Sequence, residues 1–123
     1  MRLILWLIPA IALAACVPVG SRLAELRARD MSATDFNALL AREYLAYSDA
    51  LAEQGHPIRA DYFAGKGLAA LAGQPTEPEN KSIIASSRAA LMLVLTDDVK
   101  EVAPDRAART QLLFDCWADE QGR

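Results

Sequence analysis

The sequence predicts an all-α protein, a small antiparallel bundle of four to five short helices. Three observations carry this. Alanine and leucine supply most of the apolar content of a chain that is 53% hydrophobic but only 7% aromatic, a composition suited to helix packing rather than to a sandwich. Apolar residues recur at spacings of three and four, and no segment offers a partner strand. Breaks rich in proline and glycine separate these segments. With 123 residues and a formal net charge of −3, one small domain is expected. The mild acidity and interspersed arginines leave no basic stripe to neutralise phosphates, which argues against nucleic acid as a partner.

The chain divides into residues 1–15, 16–31 and 32–123. The first part has one positive charge at Arg2, an apolar core, and small residues at its exit. Residues 3–15 are too few to span a bilayer, which takes about 20, and they include Pro9, which a buried helix disfavours. Such a pattern reads as a secretory signal peptide. The tetrapeptide Leu13-Ala14-Ala15-Cys16 resembles the bacterial lipobox, in which a diacylglycerol is joined to the cysteine and a peptidase cuts just before it. A plain secretory signal and a hydrophobic core helix are the two other readings.

The lipobox resemblance implies a mature chain that begins at Cys16 and holds to membrane through several acyl chains, because one chain alone anchors only marginally. Cys16 is then a thioether and cannot pair with Cys116, the other of the two cysteines. Val17 follows where an aspartate would imply retention at the inner membrane. The expected location is therefore the periplasmic face of the outer membrane, with the periplasmic face of the inner membrane as the alternative.

The remaining elements follow in order. Val17 to Ser21 form a tether, and residues 22–29 form either a packed first helix or a half-ordered stalk. Ser32-Ala33-Thr34-Asp35 reads as a capping box with Asp35 in the acidic position. Beyond it Phe36, Leu40, Tyr44, Tyr47 and Leu51 share one helical face, and Gly55 should end that helix. Pro57 suits the first turn of a next helix over residues 58–71. Gly65 and Gly67 weaken it by about 1 kcal/mol each, which a close approach by a neighbouring helix would explain. A Pro-rich loop over residues 74–79 leads to a fourth helix over 79–102, whose stretch from Ala90 to Leu95 is apolar all round and should lie centrally. Pro104 opens a last helix over 106–121. Helix hairpins with small residues at their crossings also resemble a tetratricopeptide-like stack, without a clean repeat.

Candidate chemistry is sparse. His56 is the single histidine and sits in a turn, the place of a capping or surface group, with no second ligand spaced for zinc. Gly65-Lys66-Gly67 lacks the order of a phosphate loop. Asp97, Asp98 and Glu101 read as a solvated turn or a weak cation site. Ser82, Ser86 and Ser87 have no nearby base. Cys116 is either a redox thiol or a small apolar core residue. No cofactor, metal or catalytic residue is expected, and the chain reads as non-enzymatic.

Phe36-Asn37, the run from Leu40 to Leu45, the run from Asp61 to Ala69, and Phe114-Asp115-Cys116-Trp117 with Glu120-Gln121 resemble the N-terminal region of alphaproteobacterial OmpA-family lipoproteins. That resemblance covers roughly residues 35–121 and implies a lipid-anchored helical module of the cell envelope. In the family a C-terminal peptidoglycan-binding domain follows; this sequence reaches Arg123 without one, so peptidoglycan binding does not carry over. The expectation is an envelope lipoprotein that binds another protein or supports envelope integrity, with Tyr44, Tyr47 and Trp117 as its possible interaction surface. A pilotin-like escort, a cell-wall enzyme or inhibitor, and a remnant of a longer two-domain protein are the alternatives.

Overall fold

The computed structural model describes residues 18–121. Leu13, Ala14 and Ala15, expected to be recognised by a signal peptidase, and Cys16, the expected lipid attachment point, lie outside the described residues. What is described is all-helical: α1 (Ser21–Arg27), α2 (Phe36–Glu53), α3 (Pro57–Leu71), a 3-10 turn (Ser82–Ile84), α4 (Ala85–Val94), α5 (Asp97–Val102) and α6 (Pro104–Glu120).

The long helices start and stop where local chemistry dictates. Asp35 is itself the N-cap of α2, its carboxylate accepting from Ala38 N–H at 3.1 Å. The capping residue thus lies three positions after Ser32, whose own N–H donates to Asp30. At the other end Gly55 takes φ 82°. This lets His56 N–H reach Leu51 O at 2.8 Å while Gly55 N–H bonds Ala52 O, a Schellman closure that glycine adopts without steric cost. α3 begins with Pro57 in its first turn and closes the same way at Gly73.

α2 is the central helix, packed against α3 and α6, with α1 laid across α3 and α2. Its buried side chains include Leu40, Tyr44 and Leu51, which meet Phe63 of α3 and Leu26 of α1. The Tyr47 ring meets Phe63 edge-on at 4.9 Å, a favoured aromatic geometry. Gly67 explains itself here. A Cβ at this position would stand 2.7 Å from Leu26 Cδ2, so the missing side chain lets α1 seat against α3.

Residue pairings give the helix directions. Glu43 meets Arg109, Tyr44 meets Asp115 and Tyr47 meets Asp119, so α6 runs parallel to α2. Lys66 meets Asp115 while Arg59 meets Asp119, so α6 runs antiparallel to α3. α3 itself returns the chain between this parallel pair, and residues 72–103 join the end of α3 to the start of α6.

That connection corrects one expectation. The apolar stretch from Ala90 to Leu95 does not lie centrally. No residue of α4 is buried; Leu93 is 82% exposed and only the following Leu95 is buried. The positions around α2 are filled by α1, α3 and α6, and α4 belongs to the crossover. The expected single helix over 79–102 is also divided, because Thr96 caps a new helix by accepting from Val99 N–H.

Candidate interaction surface

The three aromatic residues expected to form a surface have different fates. Tyr44 has no exposed surface. Tyr47 is half-buried, its hydroxyl donating to Asp119 at 3.0 Å. Trp117 is 42% exposed and its ring lies 5.6 Å from that of Phe114. Only Trp117, beside the exposed Leu113 one turn earlier, presents a broad apolar surface.

Tyr44 belongs instead to a buried polar cluster. Its hydroxyl donates to Asp115 Oδ2 and accepts from Gln111 Nε2 at 3.1 Å. Lys66 Nζ reaches both Asp115 at 3.0 Å and Glu79 at 2.9 Å. Glu79 N–H donates to the other Asp115 oxygen at 2.7 Å. Burial pushes the Asp115 carboxyl above its ordinary range, with Lys66, Tyr44 and the Glu79 amide pulling it back. Burial and Asp115 together push the Tyr44 hydroxyl far up.

This cluster straps the Pro-rich loop to the bundle. Gln111 donates to Thr76 O, Lys66 to Glu77 O and Arg88 to Pro78 O. Tyr62 donates to Glu79 at 2.8 Å, and burial pushes its hydroxyl up to about 12. Loop backbone that turns inward must find partners, and these side chains provide them. A groove of about 970 Å³ runs between this loop, α1 and α3. Arg22, Glu25, Lys66, Glu77 and Glu79 give it a mixed, charged lining rather than an apolar one.

A second, shallower cluster ties the end of α6 to the start of α3. Arg59 pairs with Asp119 through both Nε and Nη2, and Tyr47 shares the same carboxylate oxygen. Cys116 is half-buried nearby, and burial pushes its thiol up to about 11, with a hydrogen bond involving Tyr47 pulling the other way. At that value it is a protonated, weakly nucleophilic thiol.

His56 occupies the N-cap position of α3 without a side-chain capping bond. Asp97 and Asp98 lie in the first turn of α5, where the helix dipole favours acids. No group of three or more His, Cys, Asp or Glu among the described residues is placed to hold a metal ion. Among the described residues, no helix is long and apolar enough to cross a membrane.

The surface that sequence reasoning missed is the crossover itself. Ile83 (72% exposed), Leu93, Val94 (62%) and Val102 (85%) leave large aliphatic side chains in water. Ala90 and Val94 fall on one face of α4, with Leu93 beside them, and Ile83 lies in the 3-10 turn just before. The signal was visible as an apolar run without polar periodicity, which also describes a helix awaiting a partner. Comparison with family models, curated proteins and solved structures finds no match to this chain.

Proposed function

We propose that this chain is a non-enzymatic lipoprotein of the bacterial envelope, fastened at Cys16 to the periplasmic face of the outer membrane. Its helical bundle offers the α4–α5 crossover to a partner protein. The observation that supports the interaction reading is α4, a ten-residue helix with none of its residues buried and with Leu93 and Val94 in water. Leaving such a face open costs free energy in proportion to its apolar area, at about 25 cal/mol per Å², so a partner that covers it gains by that amount. The anchoring reading rests on the tetrapeptide ending at Cys16.

The polar cluster around Asp115 favours a structural role over a catalytic one. Both of its carboxylate oxygens already accept bonds that hold α2, α3 and the loop together. A pilotin-like escort would carry an apolar groove between helix hairpins, whereas the large groove here sets charged side chains among apolar ones.

The test combines labelling and cross-linking in native membranes. Metabolic labelling with an alkyne fatty acid should mark the wild type and not Cys16→Ala, and the labelled protein should fractionate with the outer membrane. A photo-cross-linker at Leu93 should give a discrete protein adduct that the same group at Ala46, exposed on α2, does not. Absence of label overturns the anchor. Indistinguishable cross-linking from the two positions overturns the crossover as the docking surface.

A further inference from the structure

From the way the first described residues are pinned, we infer that one face of α3, with Val19 and Arg22, rests on the lipid surface that carries the anchor. This builds on the anchoring at Cys16 proposed above and goes beyond it, because it assigns the orientation of the bundle and the residues that meet lipid.

The argument begins with reach. Gly20 N–H and Arg22 N–H both donate to Asp61 Oδ1 of α3, at 3.1 and 3.0 Å. The chain is therefore fixed to α3 at Gly20. Gly20 stands four positions after Cys16, and an extended chain advances at most about 3.6 Å per residue, so the two Cα atoms lie within about 14 Å. Whatever membrane Cys16 is joined to has to lie beside Asp61.

The residues around Asp61 suit that place. Ile58 and Tyr62 lie three residues before and one after Asp61, four apart and so on one helical face. They are 73% and 50% exposed, and Val19 is 62% exposed. Opposite them on α3, Ala60, Phe63, Ala64 and Gly67 face the core, so Ile58 is turned away from the bundle and Tyr62 keeps half its surface exposed on that side while its hydroxyl bonds Glu79. Arg22 lies across Gly65 on the same side, its Cδ 3.2 Å from where a glycine Cβ would stand. Its guanidinium makes no hydrogen bond or ion pair among the described residues.

Two exposed aliphatics, a tyrosine with a polar tip and an unpaired guanidinium form the residue set of a bilayer interface. Aliphatic carbon enters the acyl boundary, tyrosine sits at headgroup level, and arginine meets phosphate. The occupant is a phospholipid surface. Its zwitterionic or anionic character matters little, because Glu25 and Glu79 offset the nearby cations.

The experiment uses the acylated protein in vesicles of phosphatidylethanolamine and phosphatidylglycerol. A nitroxide is placed at Ile58→Cys or, as control, Ala46→Cys, both in a Cys116→Ser background. Collision with a water-soluble nickel chelate is measured after vesicle flotation. Co-flotation with about fivefold lower nickel collision at position 58 than at 46 supports the inference, since lipid contact excludes the chelate. Co-flotation with equal collision at both positions overturns it while leaving the anchor intact. Failure to float overturns the anchor and this inference with it. Shielding at 58 that vanishes at one protein per vesicle reveals a contact between copies and also overturns it.

Discussion

The Tyr44 hydroxyl donates to Asp115 Oδ2 across 2.5 Å, joining two buried residues that stand 71 positions apart. The bond locks α2 to α6, and the same carboxylate holds Lys66 and the Glu79 amide. Removing it strands several buried groups together. Asp115→Ala should lower unfolding free energy by about 3–5 kcal/mol, the usual cost of breaking a buried pair. Tyr44→Phe keeps the ring and should cost about 1–3 kcal/mol. Chemical denaturation of both variants checks this; a loss under 1 kcal/mol in Asp115→Ala would refute the cluster as a clasp.

The same carboxyl predicts a pH dependence of definite sign. Burial raises its pKa in the folded chain above an unfolded value of about 3.9. Folded protein then keeps a proton that unfolded protein has released. This contribution to stability is fully present below the unfolded value and is lost as pH rises through the raised one. Asp115→Asn should lack that decline. From pH 4 upward the melting temperature of the wild type should fall relative to that of Asp115→Asn, and parallel curves would contradict the assignment.

Cys116 should react slowly. With its thiol pushed up to about 11, the thiolate fraction at pH 8 is on the order of a hundredfold below that of an unperturbed cysteine. Alkylation followed by mass spectrometry should show a rate at least that much lower than a peptide thiol, rising towards pH 11. A rate matching the free peptide would place the thiol in water.

Core and crossover should respond in opposite ways to substitution. Leu51 is 2% exposed, and Leu51→Ala should cost about 2–5 kcal/mol through the cavity it leaves. Leu93→Lys should change stability by no more than about 0.5 kcal/mol, because it removes no packing. It should abolish the cross-link expected near that position. A folding defect in Leu93→Lys would mean that α4 packs on the bundle.

Much of the bundle was legible in the sequence. The stripe from Phe36 to Leu51 marks the buried face of α2 because helical periodicity is a local property. Gly55 marked the end of α2 because a left-handed residue is needed there. The Asp115 cluster was not legible, since its partners Tyr44, Lys66 and Glu79 come from separate elements and share no spacing. A trace existed: Asp115 follows Gln111 by four and sits between Leu112 and Ala118 on the buried face of α6, a polar residue on an apolar stripe. The run from Ala90 to Leu95 misled for a different reason. Hydrophobicity reports that a segment prefers burial, but which segments win the limited space around α2 is decided by the whole fold.

Because α6 runs parallel to α2 at the far end of a long crossover, the fold acts as a check on synthesis. A chain stopped before residue 104 would carry α1, α2 and α3 with the Tyr44 side chain uncovered on the α6 side. It would also carry a Lys66 lacking its innermost partner. Such a fragment presents the loose, greasy surface that housekeeping proteases and holdases recognise, whereas α6 hides it once in place. Closure of the bundle thereby waits on α6, however much chain has been made before it.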